Sequence, residues 1–221
     1  QALTRFFQRD STKANNLTLY PHKEDEFWLW VSSWALFIGR PSDLGYDDTG
    51  YDLPPLEVRT HVVRDDYGKE VDRDGQYKLT NDAAVSLAEA SREKRESIEA
   101  RVAVAREIVE SDPEAHFLLW HDLEAERHAL LRALPGAVDI YGSMDYAERE
   151  RRVIDFSEGR CRLFATKKSL SGSGCNFQRH CHRAIFVGID YEFNDFIQAI
   201  HRIYRFLQSE PGVIDIIYME A

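Results

Sequence analysis

The sequence predicts an α/β fold in which a parallel sheet has helices on both faces, preceded by a helical or irregular segment. Short apolar runs alternate with amphipathic helical patterns over the second half of the chain, which implies βαβ units. Several runs are apolar at successive positions, as expected of strands buried on both faces. Apolar residues make up 43% of the chain, enough for a sizeable core.

The first part of the chain is the predicted helical or irregular segment. Residues 1–20 show no clear period and read as an irregular lead-in. From residue 23 to residue 38, apolar residues fit a helix with one wide buried face, whose three tryptophans pack in a core or an interface. Gly39 and Pro41 then open a loop that runs to residue 55.

Strands and helices alternate in the rest of the chain. The predicted strands are LEVRTHVV (56–63), HFLLWH (116–121), AVDIYG (137–142), CRLFAT (161–166), RAIFVGI (183–189) and VIDIIYM (213–219). The predicted helices run from Thr80 or Asn81 to about 110, over 122–134, over 146–156 and through QAIHRIYRFLQ (198–208). Ligands of such sheets collect at the carboxyl ends of the strands, so the loops there are candidate sites.

Charge is distributed unevenly along the chain. The net charge of −10 argues against a generic nucleic-acid-binding protein. Residues 160–208, however, hold eight Lys and Arg against three acids. A basic island in an acidic chain indicates a local anion site.

The cysteine count, the lengths of the apolar runs and the first residue give expectations about the location and extent of the protein. Three cysteines are too few and too odd in number for a disulfide framework, so we expect a reducing, cytoplasmic location. The sequence has no apolar run long enough for a membrane span, and we expect no membrane partner. Because the chain starts with Gln1 rather than Met, we expect it to be part of a longer protein.

Two polar stretches are candidates for holding an anion. In TKKSLSGSGCNFQ (166–178), Gly172 and Gly174 allow main-chain N–H groups to approach a phosphate, and Lys167 and Lys168 add positive charge. By itself this pattern is weak, since most such loops are simple turns.

The second stretch is QAIHRIYRFLQ. On a helix, Gln198, Arg202, Arg205 and Gln208 would share one stripe, and neither arginine has an acid three or four residues away. Two arginines can also favour a helix C-terminus through its dipole. Taken with the glycine loop, they indicate a phosphate-like anion, either a nucleotide or a nucleic-acid backbone.

These motifs resemble the second RecA-like lobe of superfamily-two helicases, particularly the Swi/Snf-like translocases. QAIHRIYRFLQ is similar to motif VI of that family, with Phe206-Leu207 where Ile-Gly is common. ATKKSLSGSGCNFQ (165–178) is similar to motif V, and FLLWHDLEAE (117–126) to motif IV. IYGSMDYAERERRVIDFSEG (140–159) and PPLEVRTHVV (54–63) match further segments of the lobe.

The segment EFWLWVSSWALFIGRPSDLGY (26–46) resembles the inter-lobe region of helicases of bacteriophages and prophages, which are often encoded with a DNA methylase. The resemblance therefore divides the chain into an inter-lobe segment, 1–53, and a helicase lobe, 54–221. It also implies DNA as a partner and a methylase as a further one.

The resemblance implies roles for individual residues. Arg202 and Arg205 would be catalytic arginine fingers that reach the γ-phosphate of ATP held on the other lobe. The residues implied in nucleotide binding or in coupling to the nucleic acid are Gln198, Gly174 and Asn176. Those implied in contacts to the nucleic-acid backbone are Thr166, Lys167, Gly142 and Ser143.

The parts that bind ATP and Mg²⁺ are absent from this sequence, which has no G-x-x-x-x-G-K-[ST] loop and no Asp-Glu-x-His segment in the required setting. ATP and Mg²⁺ would be bound mainly by an N-terminal RecA-like lobe of the same protein. We therefore expect this chain to be inactive by itself.

Alternative interpretations remain. Cys175, His180, Cys181 and His182 could suggest zinc, but adjacent ligands cannot easily converge on one tetrahedral ion, so we predict no metal site. His121 and the acids after it could form a general-base cluster, although the acidic first turn of a helix is the simpler explanation. The chain could also be a non-catalytic module that binds nucleic acid or protein; a free-standing nucleotide-binding domain is disfavoured.

Overall fold

The structure is a computed structural model that describes residues 2–9, 17–63, 95, 97–171, 174–188 and 193–219. The chain forms two compact units, Gln1–Thr49 and Gly50–Ala221, called here the N-terminal unit and the sheet domain. The predicted functional boundary between residues 53 and 54 stays a prediction. The first part of the helix expected after residue 80 lies outside the described residues.

The N-terminal unit is more regular than the sequence predicted. It contains α1 (Ala2–Phe6), the antiparallel pair β1 (Phe7–Arg9) and β2 (Leu17–Leu19), and α2 (Glu24–Ser32). The irregular lead-in predicted for residues 1–20 is therefore wrong for the described residues 2–9 and 17–19, because strand pairing and an aromatic cluster order them. Within this cluster, the buried Phe6 ring lies 5.4 Å from the rings of both Phe27 and Trp30.

The helix of the N-terminal unit is shorter than predicted. It ends at Ser32 and not at residue 38. The hydroxyls of Ser32 and Ser33 donate to the carbonyls of Leu29 and Trp30, at 2.8 and 2.6 Å, and so compete with the main-chain bonds that would continue it.

The predicted parallel sheet is confirmed. Within the described residues, six strands form one parallel sheet in the order β3-β8-β7-β4-β6-β5. The strands are β3 (Leu56–Val63), β4 (Phe117–Trp120), β5 (Ala137–Asp139), β6 (Leu163–Thr166), β7 (Arg183–Phe186) and β8 (Gly212–Met219). The helices are α3 (Ile98–Ser111), α4 (Glu124–Ala133), α5 (Tyr146–Ser157), α6 (Lys168–Ser171) and α7 (Phe193–Ile200).

Helices cover both faces of the sheet, as predicted. α3 and α4 pack on the face formed by Phe117 and Leu119, whereas α5 and α7 pack on the face formed by Leu118 and Trp120. All four side chains of β4 are buried, which explains why this strand is apolar at every position.

The strand register defines the two edges that position the candidate sites. Phe117 lies opposite both Leu163 and Arg183, so β4, β6 and β7 begin at one edge, the amino edge. They end together at the carboxyl edge, at Trp120, Thr166 and Phe186. No helix in the described part of the chain is long and apolar enough to cross a membrane.

Candidate functional site

The segment with the two candidate arginines is a helix end followed by turns. α7 stops at Ile200, and residues 201–207 form turns. The carbonyl of Gln198 accepts from the side-chain Nε of Arg202 at 3.0 Å, while the Arg202 amide donates to the Ala199 carbonyl. In a continuing helix, the Arg202 amide would donate to Gln198 instead. The arginine side chain thus takes the place of the next helical hydrogen bond.

Gln208 faces the interior. It is buried, and its Nε2 donates to the carbonyls of Cys181 at 3.0 Å and Ile203 at 2.8 Å. Its Oε1 accepts from the Glu210 amide at 3.0 Å. The prediction of one helical stripe from Gln198 to Gln208 is wrong, because the helix ends eight residues before Gln208. Gln208 instead ties the turns to the segment that leads into β7.

The two arginines are held by neutral oxygen atoms. Arg202 donates from Nη1 to the carbonyl of Cys175 at 3.1 Å, in addition to its bond to Gln198. Arg205 donates from Nη1 to the side-chain Oδ1 of Asn176. Both arginines therefore contact the loop that follows β6, and the two candidate stretches meet in one place.

Neither arginine is neutralised by the residues that the structure describes. No carboxylate among those residues lies within ion-pair distance of Arg202 or Arg205, whereas Arg127, Arg151 and Arg183 each pair with two acids. Burial lowers the pKa of the Arg202 guanidinium, and the adjacent charge of Arg205 lowers it further. An anion bound between the two side chains would relieve this repulsion.

The loop after β6 is shaped to lie close to the arginines. Gly174 has a φ of +79°, a conformation that favours glycine, and it is exposed. Three residues later, the amide of Phe177 donates to the carbonyl of Arg202 at 2.9 Å. Gly172, the other predicted glycine, lies outside the described residues. Gln198 and Asn176 are exposed, so the cluster is accessible.

The arginine cluster does not lie at the carboxyl edge of the sheet, where the sequence placed the candidate loops. The connection from β7 to the parallel strand β8 must return to the amino edge, and α7 makes that return. The carbonyl of His182, just before β7, accepts from the amide of Val213 at the start of β8, and the arginine turns lie between these segments and α7. The expected location at the carboxyl edge is found only for residues directly after strands, such as Lys167.

The role predicted for the Thr166 hydroxyl is not supported. Thr166 is completely buried, and its Oγ1 lies 3.0 Å from the Ser171 hydroxyl. Because a buried hydroxyl already used inside the protein cannot face a nucleic-acid backbone, the prediction for Thr166 is corrected to a structural role. The cause is α6, whose last residue covers the end of β6.

Lys167 lies at the carboxyl edge but already has an anionic partner. Its Nζ is 2.9 Å from Oε1 of Glu124, the first residue of α4. The lysine side chain is 27% exposed, so it remains within reach of a ligand. Lys168, by contrast, is buried. The sequence analysis considered Glu124 only among the acids after His121 and did not predict its pairing with Lys167, because residues on different elements carry no signal of their contact.

Gly142 and Ser143 are exposed in the loop after β5, also at the carboxyl edge. Arg149 of α5 shapes this loop by donating from Nη2 to the carbonyls of Gly142 at 2.7 Å and of Tyr141 and Met144 at longer distances. The arrangement leaves Gly142 and Ser143 at the surface, as backbone contacts would require. Arg149 was not singled out from the sequence, although it lies about one turn into the predicted helix.

The cysteines and histidines near β7 do not form a metal site in the described residues, where no group of three or more metal-binding side chains was found. Cys181 is buried and donates from Sγ to the carbonyls of His116 at 3.3 Å and Arg183 at 3.2 Å. Burial raises the pKa of its thiol to about 12, so the sulfur is protonated at neutral pH.

The acidic start of α4 is explained by structure rather than by general-base catalysis. Oε2 of Glu126 accepts from the amides of Asp122 at 2.8 Å and Leu123 at 2.9 Å, which confirms the predicted helix start. Glu126 also pairs with the buried Arg101 at 2.8 Å. The His121 ring is buried, and burial lowers its pKa to about 4.

Comparison with solved structures shows that the sheet domain has a RecA-like α/β fold. The chain superposes on the C-terminal part of the Fun30 ATPase domain with a TM-score of 0.50 at 16% identity, covering 54% of this chain and 41% of that one. It also matches the C-terminal domain of the DEAD-box protein Dbp5, with a TM-score of 0.47, 17% identity and coverage of 54% and 70%.

A third match is S. cerevisiae Dbp5 bound to RNA and ADP BeF3, with a TM-score of 0.48, 19% identity and coverage of 56% of this chain and 33% of that one. The chain thus spans less than half the length of two of these three structures. No protein-family model matches the sequence, and no curated protein matches it significantly.

Proposed function

We propose that this chain is the C-terminal RecA-like lobe of a superfamily-two, Swi/Snf-like DNA helicase or translocase of phage or prophage type. One observation carries the proposal: Arg202 and Arg205 are held side by side by neutral oxygens of the motif V loop and of Gln198, with no carboxylate partner among the described residues. The RecA-like α/β fold of the sheet domain supports the proposal further.

Arg202 and Arg205 would act on ATP bound by the first lobe of the longer protein. Their guanidinium groups match phosphate oxygens and would stabilise the charge that develops on the γ-phosphate in the transition state. Gln198 would help to place the motif VI segment, while Gly174 and Asn176 would link it to the nucleic-acid contacts. Arg205 would have to leave Asn176 to reach the nucleotide.

The residues of this site do not fit Mg²⁺. Around the two arginines, the described residues offer guanidinium groups and neutral oxygens and no free carboxylate, whereas Mg²⁺ prefers carboxylates and phosphate oxygens. The ion would therefore be held by the first lobe together with the nucleotide. This chain supplies the part of the site that neutralises phosphate charge.

The carboxyl edge would carry the nucleic acid. Lys167 supplies an ammonium group, and Gly142 and Ser143 supply exposed main-chain and hydroxyl groups. Such contacts position a protein on a phosphodiester backbone without reading its sequence. DNA is proposed as the substrate on the resemblance of motifs IV, V and VI to Swi/Snf-like translocases, and a DNA methylase is proposed as a further partner on the resemblance of residues 26–46.

Substitution of Arg205 by alanine in the longer protein tests the catalytic role. Nucleic-acid-stimulated ATP hydrolysis should fall by about 10³- to 10⁵-fold, because an arginine finger acts mainly in the transition state. The affinity for ATP, measured by equilibrium binding, should change little. Arg151→Ala is a matched control, since Arg151 is exposed and pairs with Glu148 and Asp155. Turnover of Arg205→Ala equal to that of the control would refute the role.

A further inference from the structure

The lysine that we propose as a phosphate ligand is occupied by a carboxylate of its own domain. Lys167 follows β6, and Glu124 opens α4, which follows β4. The two strands are neighbours, with Trp120 opposite Thr166, so both residues emerge from the same place at the carboxyl edge. Lys167 Nζ and Glu124 Oε1 are 2.9 Å apart, a direct ion pair.

Glu124 is shared between two cations. Its Oε2 accepts from Nε of Arg127 at 2.8 Å, and Arg127 in turn donates from Nη1 to Asp139 at 2.6 Å. The pKa of Glu124 is lowered to about 2, and the hydrogen bond from Lys167 is the largest cause of this shift. The carboxylate is therefore ionised throughout the physiological pH range.

We propose that Glu124 competes with nucleic-acid phosphates for Lys167, so that a phosphate must displace the carboxylate before the lysine can bind it. This inference rests on the proposed function, because it concerns the regulation of the same nucleic-acid contact. In the free protein, the Glu124 carboxylate occupies the position at Lys167 that a phosphate would take, because both are oxyanions that bind the same ammonium group at hydrogen-bond distance.

The exchange is inexpensive in free energy for two structural reasons. The Glu124 side chain is 52% exposed, and exposed ion pairs are weak. When Lys167 turns to a phosphate, Glu124 keeps Arg127 as a partner and is not left as an isolated charge. The carboxylate nevertheless remains near the contact and repels the phosphate. The result is a weak contact that is readily released, which suits a protein that moves along its substrate.

Binding of a fluorescently labelled DNA duplex to the 221-residue chain at low salt tests the inference. Glu124→Gln removes the competing charge and should tighten binding about two- to fivefold, the range of an exposed ion pair. The fold should be retained, because Glu126, and not Glu124, caps the start of α4. Lys167→Ala should weaken binding and make its salt dependence shallower.

Two further variants complete the experiment. Glu110→Gln is the matched control: it makes the same change of charge in an exposed pair with Arg106, at the end of α3 that leads to the amino edge. It should leave the affinity unchanged. In the double variant of Glu124→Gln and Lys167→Ala, the gain should disappear, because Glu124 acts through the lysine.

The outcomes separate this inference from the proposed function. If Glu124→Gln binds no more tightly than Glu110→Gln, or if its gain survives in the double variant, the competition is refuted while the Lys167 contact stands. If Lys167→Ala binds as well as the unsubstituted chain, or if no variant binds DNA, the proposed nucleic-acid contact itself is refuted.

Discussion

Leu207 has an unusual backbone conformation for its residue type. Its φ is 71°, and it is the only non-glycine residue with a positive φ among those described. This conformation crowds the Cβ of an L-residue and costs about 1–2 kcal/mol. The side chain is 61% exposed and so recovers little through packing. Motif VI of the family that the sequence resembles commonly has glycine here, and the observed φ gives the physical reason.

Leu207→Gly should stabilise the chain. Glycine removes the cost of the positive φ, although it also makes the unfolded chain more flexible, so we expect a net gain of about 0.5–1 kcal/mol in the free energy of unfolding. Urea unfolding measures this change. Leu207→Ala is the control, since it shortens the side chain but keeps the strained Cβ. A Leu207→Gly chain that is less stable than Leu207→Ala would contradict strain at residue 207, because only the greater flexibility of the unfolded glycine chain would then separate the two variants.

At the scale of the element, the start of α4 concentrates charge around a neutral histidine. Neither ring nitrogen of His121 has a hydrogen-bond partner among the described residues. Burial lowers its pKa from 6.5 to about 4; Glu126 and Glu124 favour the protonated form, and Lys167 and Arg127 oppose it. The histidine is therefore uncharged in the folded chain at neutral pH.

This burial predicts a pH dependence of stability. The unfolded chain takes up a proton at His121 below pH 6.5, whereas the folded chain does so only below about pH 4. His121 therefore has almost no effect on the free energy of unfolding at pH 7. It lowers that free energy as the pH falls from 6.5 to about 4. At pH 5 the loss is about 2 kcal/mol.

Urea unfolding at pH 7 and pH 5 tests this prediction. His121→Phe fills the same space with a ring that does not titrate, so it should lose about 2 kcal/mol less than the unsubstituted chain on acidification. Comparing the two chains cancels the contribution of all other titrating groups. An identical loss in both would contradict the neutral state of His121 in the fold.

At the scale of the whole molecule, the proposal requires a second lobe. The two arginines would neutralise phosphate charge, but the sequence contains no phosphate-binding loop. We therefore expect the isolated chain to hydrolyse no ATP and to bind DNA weakly, with an affinity that is lost as salt is added. Both properties can be measured on the 221-residue chain. ATP hydrolysis by the purified chain would contradict the division of the site between two lobes.

Measuring DNA binding and ATP binding by the longer protein tests the alternative that the chain is a non-catalytic binding module. If that protein binds DNA but does not bind ATP, the arginines serve another anion and the motor interpretation fails.

The positions of the strands could be predicted because they are short runs of apolar or β-branched residues between polar loops, although β5 and β7 end three residues earlier than predicted. The predicted strand 56–63 has the observed bounds, and the last strand differs by one residue. The end of α7 could not be predicted, because it depends on the hydrogen bond that the side chain of Arg202 donates to the Gln198 carbonyl. The burial of Thr166 depends likewise on a short helix that no sequence period announces.

The sequence by itself determined the α/β class, the order of the six strands and the longer helices of the sheet domain, and the two polar stretches that carry the candidate site. These properties follow from local patterns of apolar and polar residues, which act over a few neighbours. Only the tertiary structure decided that Arg202 and Arg205 meet the loop at Cys175 and Asn176, and that Lys167 is paired with Glu124. Such contacts join residues far apart in the chain, and their geometry exists only once the sheet has formed.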